Sequence, residues 1–312
     1  MQGIELSRSY YTQFGAPMLH EKFPALESRI AVGLAGCGSE CFGWDDEVSQ
    51  DHDFEPGFCL FLPEDIDEQT EFRLERAYAA LPKEHLGFSR VKLSPVGGSR
   101  HGVIRMGDFF RDRTGSADGT LSLGDWLRLP EQYLLEATGG VVFRDDEGIF
   151  TAIRRKLSQP PEDVRRKKLA GSLLLMAQAG QYNYQRCLAH GEPAAAQLAL
   201  NEFVNRTLAV IFLLNRTYLP YYKWRFRALR TLPRLSELAE TLELLITTDN
   251  GAVMAQAKAD LAEDVASRII TELQEQELTK AICGDLEKHA YSVNDSIADP
   301  SLRNADILIG CA

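Results

Sequence analysis

The chain has 312 residues, of which 45% are hydrophobic, and a formal net charge of −11. This length is enough for two domains with buried cores, but the negative charge excludes broad binding to nucleic-acid phosphates, which needs a basic surface. The sequence contains no run of 18 apolar residues, so we predict no transmembrane helix. Residues 1–6 lack the basic and apolar regions that are typical of a signal peptide. Because the six cysteines are scattered, we expect free thiols in a reducing cytoplasm. We expect no membrane association.

The first elements alternate between helical and strand patterns. Residues 3–28 have helical periodicity, with a break expected at Gly15 and Pro17. The apolar runs 30–35 and 58–62 then predict two buried strands. The N-terminal part is therefore expected to pack helices against a sheet.

The segment between these two runs holds residues suited to phosphate and metal. Gly38 has no side chain to block the approach of a phosphate to the backbone, and Ser39 follows it. Asp51 and Asp53 are two residues apart, so in an extended strand they point the same way. Two converging carboxylates repel each other unless a cation lies between them, and hard oxygen ligands suit Mg²⁺. We predict phosphate binding at the first pair and one or two Mg²⁺ ions at the second.

This combination of an apolar strand, Gly38-Ser39, a spacer and Asp51-His52-Asp53 resembles the polymerase β-like nucleotidyltransferase superfamily, which includes aminoglycoside and lincosamide nucleotidyltransferases. The whole string from Gly38 to Asp53 is similar to a bacterial domain of unknown function within that superfamily. A solvated acidic loop between two strands is the alternative interpretation. The resemblance implies a small mixed sheet with helices on one face.

The superfamily usually has a third carboxylate on a later strand. Here the strand predicted at 101–106 carries Ile104 and Arg105 in its interior and no acid. Asp108 follows it and is our candidate for the third catalytic carboxylate, although we favour a helix N-cap for this residue. Asp145 is a further candidate, in a hairpin predicted over 139–150, where turn chemistry is the simpler explanation.

Beyond Pro160-Pro161 the pattern is helical. We predict helices at about 162–179, 181–190, 192–216, 220–230, 232–247 and 250–282, followed by a closing helix with a loose tail. The fold class is therefore α+β. A nucleotidyltransferase-like domain, 1–158, precedes an all-α helical bundle, 159–312, with a cleft expected between them.

Two polar strings in the bundle combine aromatic and cationic side chains, which can stack a base and neutralise phosphates. The string 181–190 contains Arg186. The string 215–227 contains Asn215 and Lys223, and it resembles the Asn…Tyr…Lys-Trp segment of nucleotidyltransferase helical domains. We predict that these three residues bind the nucleotide. Amphipathic helices with solvated cations are the alternative.

The resemblance implies metal-dependent transfer of a nucleoside monophosphate from a nucleoside triphosphate to a hydroxyl of a small molecule or macromolecule. The missing acid motivates a second hypothesis, a catalytically impaired regulatory protein that binds Mg²⁺-nucleotide. A third is a toxin-type enzyme that modifies tRNA or a protein, against which the acidic composition argues. We expect a monomer or homodimer.

Overall fold

A computed structural model describes residues 1–48, 54–90 and 100–311. The chain forms two compact units, the first comprising 1–121 and 133–158 and the second 122–132 and 159–312. The first unit ends at Ser158, and residues 122–132 belong to the second unit. Trp126 and Leu127 are buried there, and the Leu129 carbonyl accepts a hydrogen bond from Lys168 Nζ at 3.2 Å.

The chain up to residue 158 carries all the described strands. A helix begins as α1 (Gly3–Tyr10), continues through a π turn (Tyr11–Gly15) and ends as α2 (Ala16–Lys22), so the expected break does not occur. The remaining elements are β1 (Ala31–Leu34), a 3₁₀ turn (Ser39–Phe42), β2 (Cys59–Leu62), α3 (Glu68–Ala79), β3 (Glu84–His85), β4 (Phe88–Ser89), β5 (Gly102–Arg105), α4 (Met106–Thr114), α5 (Leu123–Arg128), α6 (Glu131–Thr138), β6 (Val141–Arg144) and α7 (Ile149–Leu157).

The main sheet is mixed and has the strand order β5-β2-β1-β6. Strand β1 is antiparallel to β2 and β6, while β2 is parallel to β5. Gly33 pairs with Cys59, Cys59 with Gly102, and Leu34 with Val141. The last residues of β1 therefore lie at the same end of the sheet as the first residues of the other three strands. We call this the motif end.

Helices cover both faces of this sheet, so the expectation of helices on one face is wrong. Val32 and Leu60 belong to a core formed with the first three helices. On the other face, the Phe61 ring stacks on Phe150 of α7 at 4.2 Å between centroids and meets Phe109 of α4 at 4.9 Å. Side chains alternate along a strand, so the unbroken apolar run of β2 is buried on both faces.

Residues 139–150 do not form the predicted hairpin. Strand β6 ends at Arg144, and α7 begins directly after Gly148, which has a φ of +70°. Asp145 Oδ2 accepts a hydrogen bond from the Thr151 N–H at 2.8 Å and thereby satisfies a donor in the first turn of α7. Asp145 therefore stabilises the local backbone, as expected from turn chemistry, although this turn leads into a helix and not into a second strand.

The described residues of the second unit form helices joined by turns and loops, and none of them forms a strand. Besides α5, it contains α8 (Glu162–Met176), a π turn (Ala177–Asn183), α9 (Tyr184–Ala189), α10 (Pro193–Leu214), a 3₁₀ turn (Tyr222–Trp224), α11 (Arg225–Leu229), a 3₁₀ turn (Ser236–Leu238), α12 (Ala239–Thr247), α13 (Ala252–Glu275), α14 (Leu286–Asp295) and α15 (Pro300–Asn304). A mixed sheet followed by a helical region confirms the predicted α+β class.

Helix α10 is the centre of the second unit and packs against α8, α9 and α12. Within the described chain it is also the helix that is long and apolar enough to cross a membrane, judged by length and composition alone. Of its apolar window, 56% is buried inside the structure. A core helix passes the same test of length and composition, so this finding adds nothing for or against membrane association.

The last described residues do not form the loose tail that we expected. Cys311 is buried, and its carbonyl accepts a hydrogen bond from Arg206 Nη1 at 2.5 Å. Gly171 makes the close packing feasible, since a Cβ there would collide with the Cys311 sulfur and lie 2.6 Å from the Ile307 carbonyl oxygen. Cys311 thus anchors the end of the described chain against α8 and α10, although Leu308 and Ile309 remain exposed.

Candidate functional site

A glycine-containing turn follows β1 at the motif end. Gly36 has a φ of +134°, which L-residues rarely adopt. Gly38 is extended, with φ −69° and ψ 146°, and precedes the 3₁₀ turn that begins at Ser39. Among the described residues, the N–H groups of Ser39 and Glu40 have no hydrogen-bond acceptor. The turn therefore offers two backbone donors that can bind an anion.

An arginine lies beside this turn, although no sequence motif indicated it. Arg113 Nη2 is 3.4 Å from where a Cβ on Gly36 would stand. The guanidinium packs on the Phe109 ring at 4.0 Å from its centroid, and Nη1 donates to the Phe109 carbonyl at 2.8 Å. Its buried Nε has no hydrogen-bond partner in the described chain. Arg113 thus supplies positive charge beside Gly36, in the turn that also carries the two open N–H donors.

Glu136 accompanies Arg113. Its Oε2 lies 3.9 Å from Arg113 Nε, and both side chains are mostly buried. Burial raises the pKa of Glu136, while the charge of Arg113 acts to lower it. The two residues come from α4 and α6, so only the fold brings them together and neither belongs to a recognisable pattern.

The predicted metal ligands Asp51 and Asp53 lie outside the described residues. Within the described ranges, no group of three or more His, Cys, Asp or Glu side chains could hold a metal. Asp45, six residues before Asp51 in the sequence, has a spare carboxylate oxygen: Oδ2 accepts from the Gly3 N–H at 2.8 Å, but the buried Oδ1 has no described partner. Carboxylate oxygens are the donors that Mg²⁺ prefers, so this surrounding chemistry fits the ion.

Asp108 is not the helix N-cap that we favoured. Strand β5 runs directly into α4, whose N-cap is Arg105, so Asp108 lies inside the first turn and the N-cap interpretation is wrong. Its carboxylate pairs with Arg111 on the same helix. Arg105 pairs with Leu62 at the end of the sheet opposite the motif end, and α4 starts there. Arg113, near the end of α4, reaches the glycine turn, and Asp108 does not.

Asn215 has a structural role in the second unit. Its Nδ2 donates to the carbonyls of Ile211 at 2.9 Å and Arg234 at 3.0 Å, and its Oδ1 accepts from the Arg234 N–H at 3.2 Å. The side chain thereby ties the end of α10 to the loop before α12. No amide hydrogen remains to bind a nucleotide.

Lys223 and Arg186 are both exposed cations beside aromatic rings. Lys223 Nζ is 5.1 Å from the Trp224 ring centroid, and Arg186 Nη1 donates to the Tyr182 hydroxyl at 3.0 Å. This environment fits the predicted binding of a base or phosphate, and it fits solvated cations on an amphipathic surface equally well.

A family model described as a domain of unknown function (DUF4037) matches residues 126–225. No curated protein and no solved structure gives a significant match to the chain. The match extends from α5 to the first residue of α11, and the chain is similar to that family over this stretch. It includes the three nucleotide-binding residues predicted in the helical part. It does not include the glycine turn or the paired aspartates.

Proposed function

We propose that this protein is a metal-dependent nucleotidyltransferase that transfers a nucleoside monophosphate from a nucleoside triphosphate to a hydroxyl. The observation that supports it is the glycine turn at the motif end, with two open N–H donors and a positive φ at Gly36, beside which Arg113 lies. The acidic pair Asp51 and Asp53 follows this turn in the sequence and precedes β2, the strand next to β1.

Each residue has a distinct role in this proposal. Gly38 admits a phosphate to the backbone, Ser39 donates its N–H, and Arg113 neutralises phosphate charge while Glu136 positions the guanidinium. Asp51 and Asp53 would hold Mg²⁺, which, when bound, polarises the phosphates and activates the acceptor hydroxyl.

Two exposed cations of the helical unit, Lys223 and Arg186, stay in the proposal as triphosphate ligands. Asn215 leaves it because its amide is already bound to backbone. All six cysteines are unpaired, which supports the proposed location in a reducing cytoplasm.

The test is calorimetric titration of each of four nucleoside triphosphates with and without Mg²⁺. We expect the wild type to bind at least one of them only with Mg²⁺, and Asp51→Asn/Asp53→Asn to lose that binding. The matched control is Asp260→Asn/Asp264→Asn, which removes two exposed carboxylates from α13. Binding that survives in the Asp51/Asp53 variant would refute the metal site.

A regulatory protein that binds Mg²⁺-nucleotide without turnover is the second candidate. It is favoured by the lack of a carboxylate in β5 and by the pairing of Asp108 with Arg111 away from the motif end. Pyrophosphate release separates the two functions. Release that depends on Asp51 and Asp53 supports the transferase, and tight Mg²⁺-dependent binding without release supports the regulatory protein.

A further inference from the structure

The second unit contains a pocket of about 310 Å³. Its walls come from the α5–α6 segment, α8, α10, the start of α11 and the tail at Gly310-Cys311. Apolar side chains such as Leu127, Ala209 and Leu213 form part of the lining. The volume is at the lower end of the range for small-molecule sites, about 300–1,000 Å³. We call it the helical-unit pocket.

The charged lining of this pocket is unbalanced. It has four basic side chains and one acidic one, namely Arg128, Lys168, Arg206, Arg225 and Glu131. Arg128 pairs with Asp125 at 2.9 Å, and Arg206 pairs with Glu202 at 2.5 Å. In the described chain, no carboxylate forms an ion pair with either of the other two cations. This excess of positive charge stands out in a chain of net charge −11.

Lys168 differs from the other buried lysines. Lys258 Nζ donates to three oxygens at 2.6–3.1 Å, and Lys167 Nζ donates to two at 2.8 and 2.9 Å. Lys168 is only 7% exposed, and its single acceptor is the Leu129 carbonyl at 3.2 Å. An ammonium group has three donors, so two remain without a described partner.

Arg225 also has hydrogen-bond donors without a described acceptor. Its Nε donates to the Pro220 carbonyl at 3.2 Å and its Nη1 to Asn205 Oδ1 at 3.1 Å, which leaves Nη2 without a described acceptor. Burial lowers the pKa of Lys168 and of Arg225 and raises the pKa of Glu131. The charged forms of Lys168 and Arg225 are therefore poorly solvated, a cost that an anionic ligand would reduce. The charge of Glu131 acts on both cations and opposes the effect of burial, and it would repel the same ligand.

We infer that the helical-unit pocket binds a small phosphate monoester, held by Lys168 and Arg225. Arg225 offers the open N–H groups of Nη2 to the phosphate oxygens, and Lys168 supplies a point charge with two open donors. The apolar wall accommodates the organic part, which is why we assign a monoester and not the free ion. The inference is independent of the proposed nucleotidyltransferase activity.

The experiment uses calorimetry with glycerol 3-phosphate, inorganic phosphate and malonate, without nucleotide. We expect the wild type to bind glycerol 3-phosphate more tightly than the other two. Lys168→Met and Arg225→Met should each weaken it about ten- to a hundredfold, the worth of one hydrogen bond to a charged group. Arg230→Met is the matched control, because Arg230 follows α11, is exposed and does not line the pocket.

Thermal unfolding provides a second readout that a merely structural lysine would not reproduce. Without ligand, Lys168→Met should unfold at no lower temperature than the wild type, because it removes a poorly solvated charge. The upward shift caused by glycerol 3-phosphate should vanish. Absence of phosphate binding by the wild type, or wild-type affinity in both pocket variants, would overturn the inference. Tighter binding of malonate would overturn the assignment to phosphate. If one variant does not fold, the other decides.

Discussion

Gly36 and Gly38 are two residues apart, but replacement by alanine should destabilise the fold at only one of them. Gly38 has ordinary extended backbone, and an added Cβ would collide only with the end of the flexible Glu40 side chain. Gly36 has a φ of +134°, where any side chain is strained. The fold therefore requires glycine at 36, and we expect function to require it at 38.

We predict that Gly38→Ala changes the free energy of unfolding by less than about 0.5 kcal/mol, because the backbone is unstrained and the end of the Glu40 side chain can move aside. The same methyl group should weaken Mg²⁺-nucleotide binding at least about tenfold, because it takes the space that the phosphate would occupy once the Glu40 side chain moves aside. Urea unfolding and calorimetry measure the two effects separately. Gly36→Ala is the comparison, with an expected loss of about 1–3 kcal/mol of stability. Unchanged nucleotide affinity in Gly38→Ala would contradict the proposed phosphate approach.

At the scale of elements, the first turn of α8 is fixed by a cluster of charges. Glu162 pairs with Arg165 at 2.7 Å, with Arg166 at 3.0 Å and with Arg216 at 3.1 Å. Arg165 is only 2% exposed, so the loss of its carboxylate would leave a buried cation poorly compensated. Glu162 is 40% exposed, which reduces its contribution through solvent screening.

This cluster predicts a pH dependence of stability. Burial acts to raise the pKa of Glu162, but hydrogen bonds from Arg165 and Arg166 outweigh it and lower the pKa from 4.5 to about 2. A carboxyl with a lowered folded-state pKa stabilises the protein above its unfolded pKa, and this stability is lost as pH falls. Glu162→Gln should therefore cost about 1–3 kcal/mol at pH 7, and the difference from wild type should shrink between pH 4.5 and 2.

Urea unfolding of both proteins from pH 7 to pH 3 checks this prediction. Glu240→Gln, which removes an exposed carboxylate from α12, is the control and should show no such convergence. A difference between wild type and Glu162→Gln that stays constant across this range would exclude the ion-pair explanation.

Local sequence patterns predicted those helices and strands whose buried face is defined by residues close together in the sequence. The apolar runs gave β1 and β2, and the long helical periodicities gave α8, α10 and α13, because each buries a face that its own sequence defines. Gly148 was misinterpreted because a glycine after acidic residues can turn a hairpin or precede a helix. Pro17 was misinterpreted because a π turn at Tyr11–Gly15 lies just before it and the helix continues past its missing N–H.

The candidate sites depend on long-range packing and were less predictable. Arg113 reaches Gly36 only because α4 returns along the sheet, and the same geometry keeps Asp108 away. The helical-unit pocket joins Glu131, Lys168 and Arg225 from three separate helices. No spacing rule connects such residues, so the sequence indicated the glycine turn itself but neither the arginine beside it nor the pocket.

At the scale of the whole molecule, charge argues against a nucleic-acid substrate. The net charge is −11 and the isoelectric point is about 5.1. Many of the basic side chains are already paired with acids, as in Arg29–Asp65, Arg144–Glu27 and Arg234–Glu272. Binding to RNA gains most of its affinity from phosphates that displace counterions at a basic surface. The glycine turn with Arg113 and the helical-unit pocket each hold only a few open donors, so they suit small anions better than a polymer.

We therefore predict no binding of tRNA up to about 10 µM protein at 0.15 M salt, measured by filter retention. A second series at low salt separates weak electrostatic attraction from a specific site, because non-specific affinity falls steeply as salt rises. Retention that persists at 0.15 M salt would contradict the prediction and favour the tRNA-modifying enzyme over transfer to a small hydroxyl compound. In that case Lys223 and Arg186, as exposed cations beside aromatic rings, are the first residues to replace.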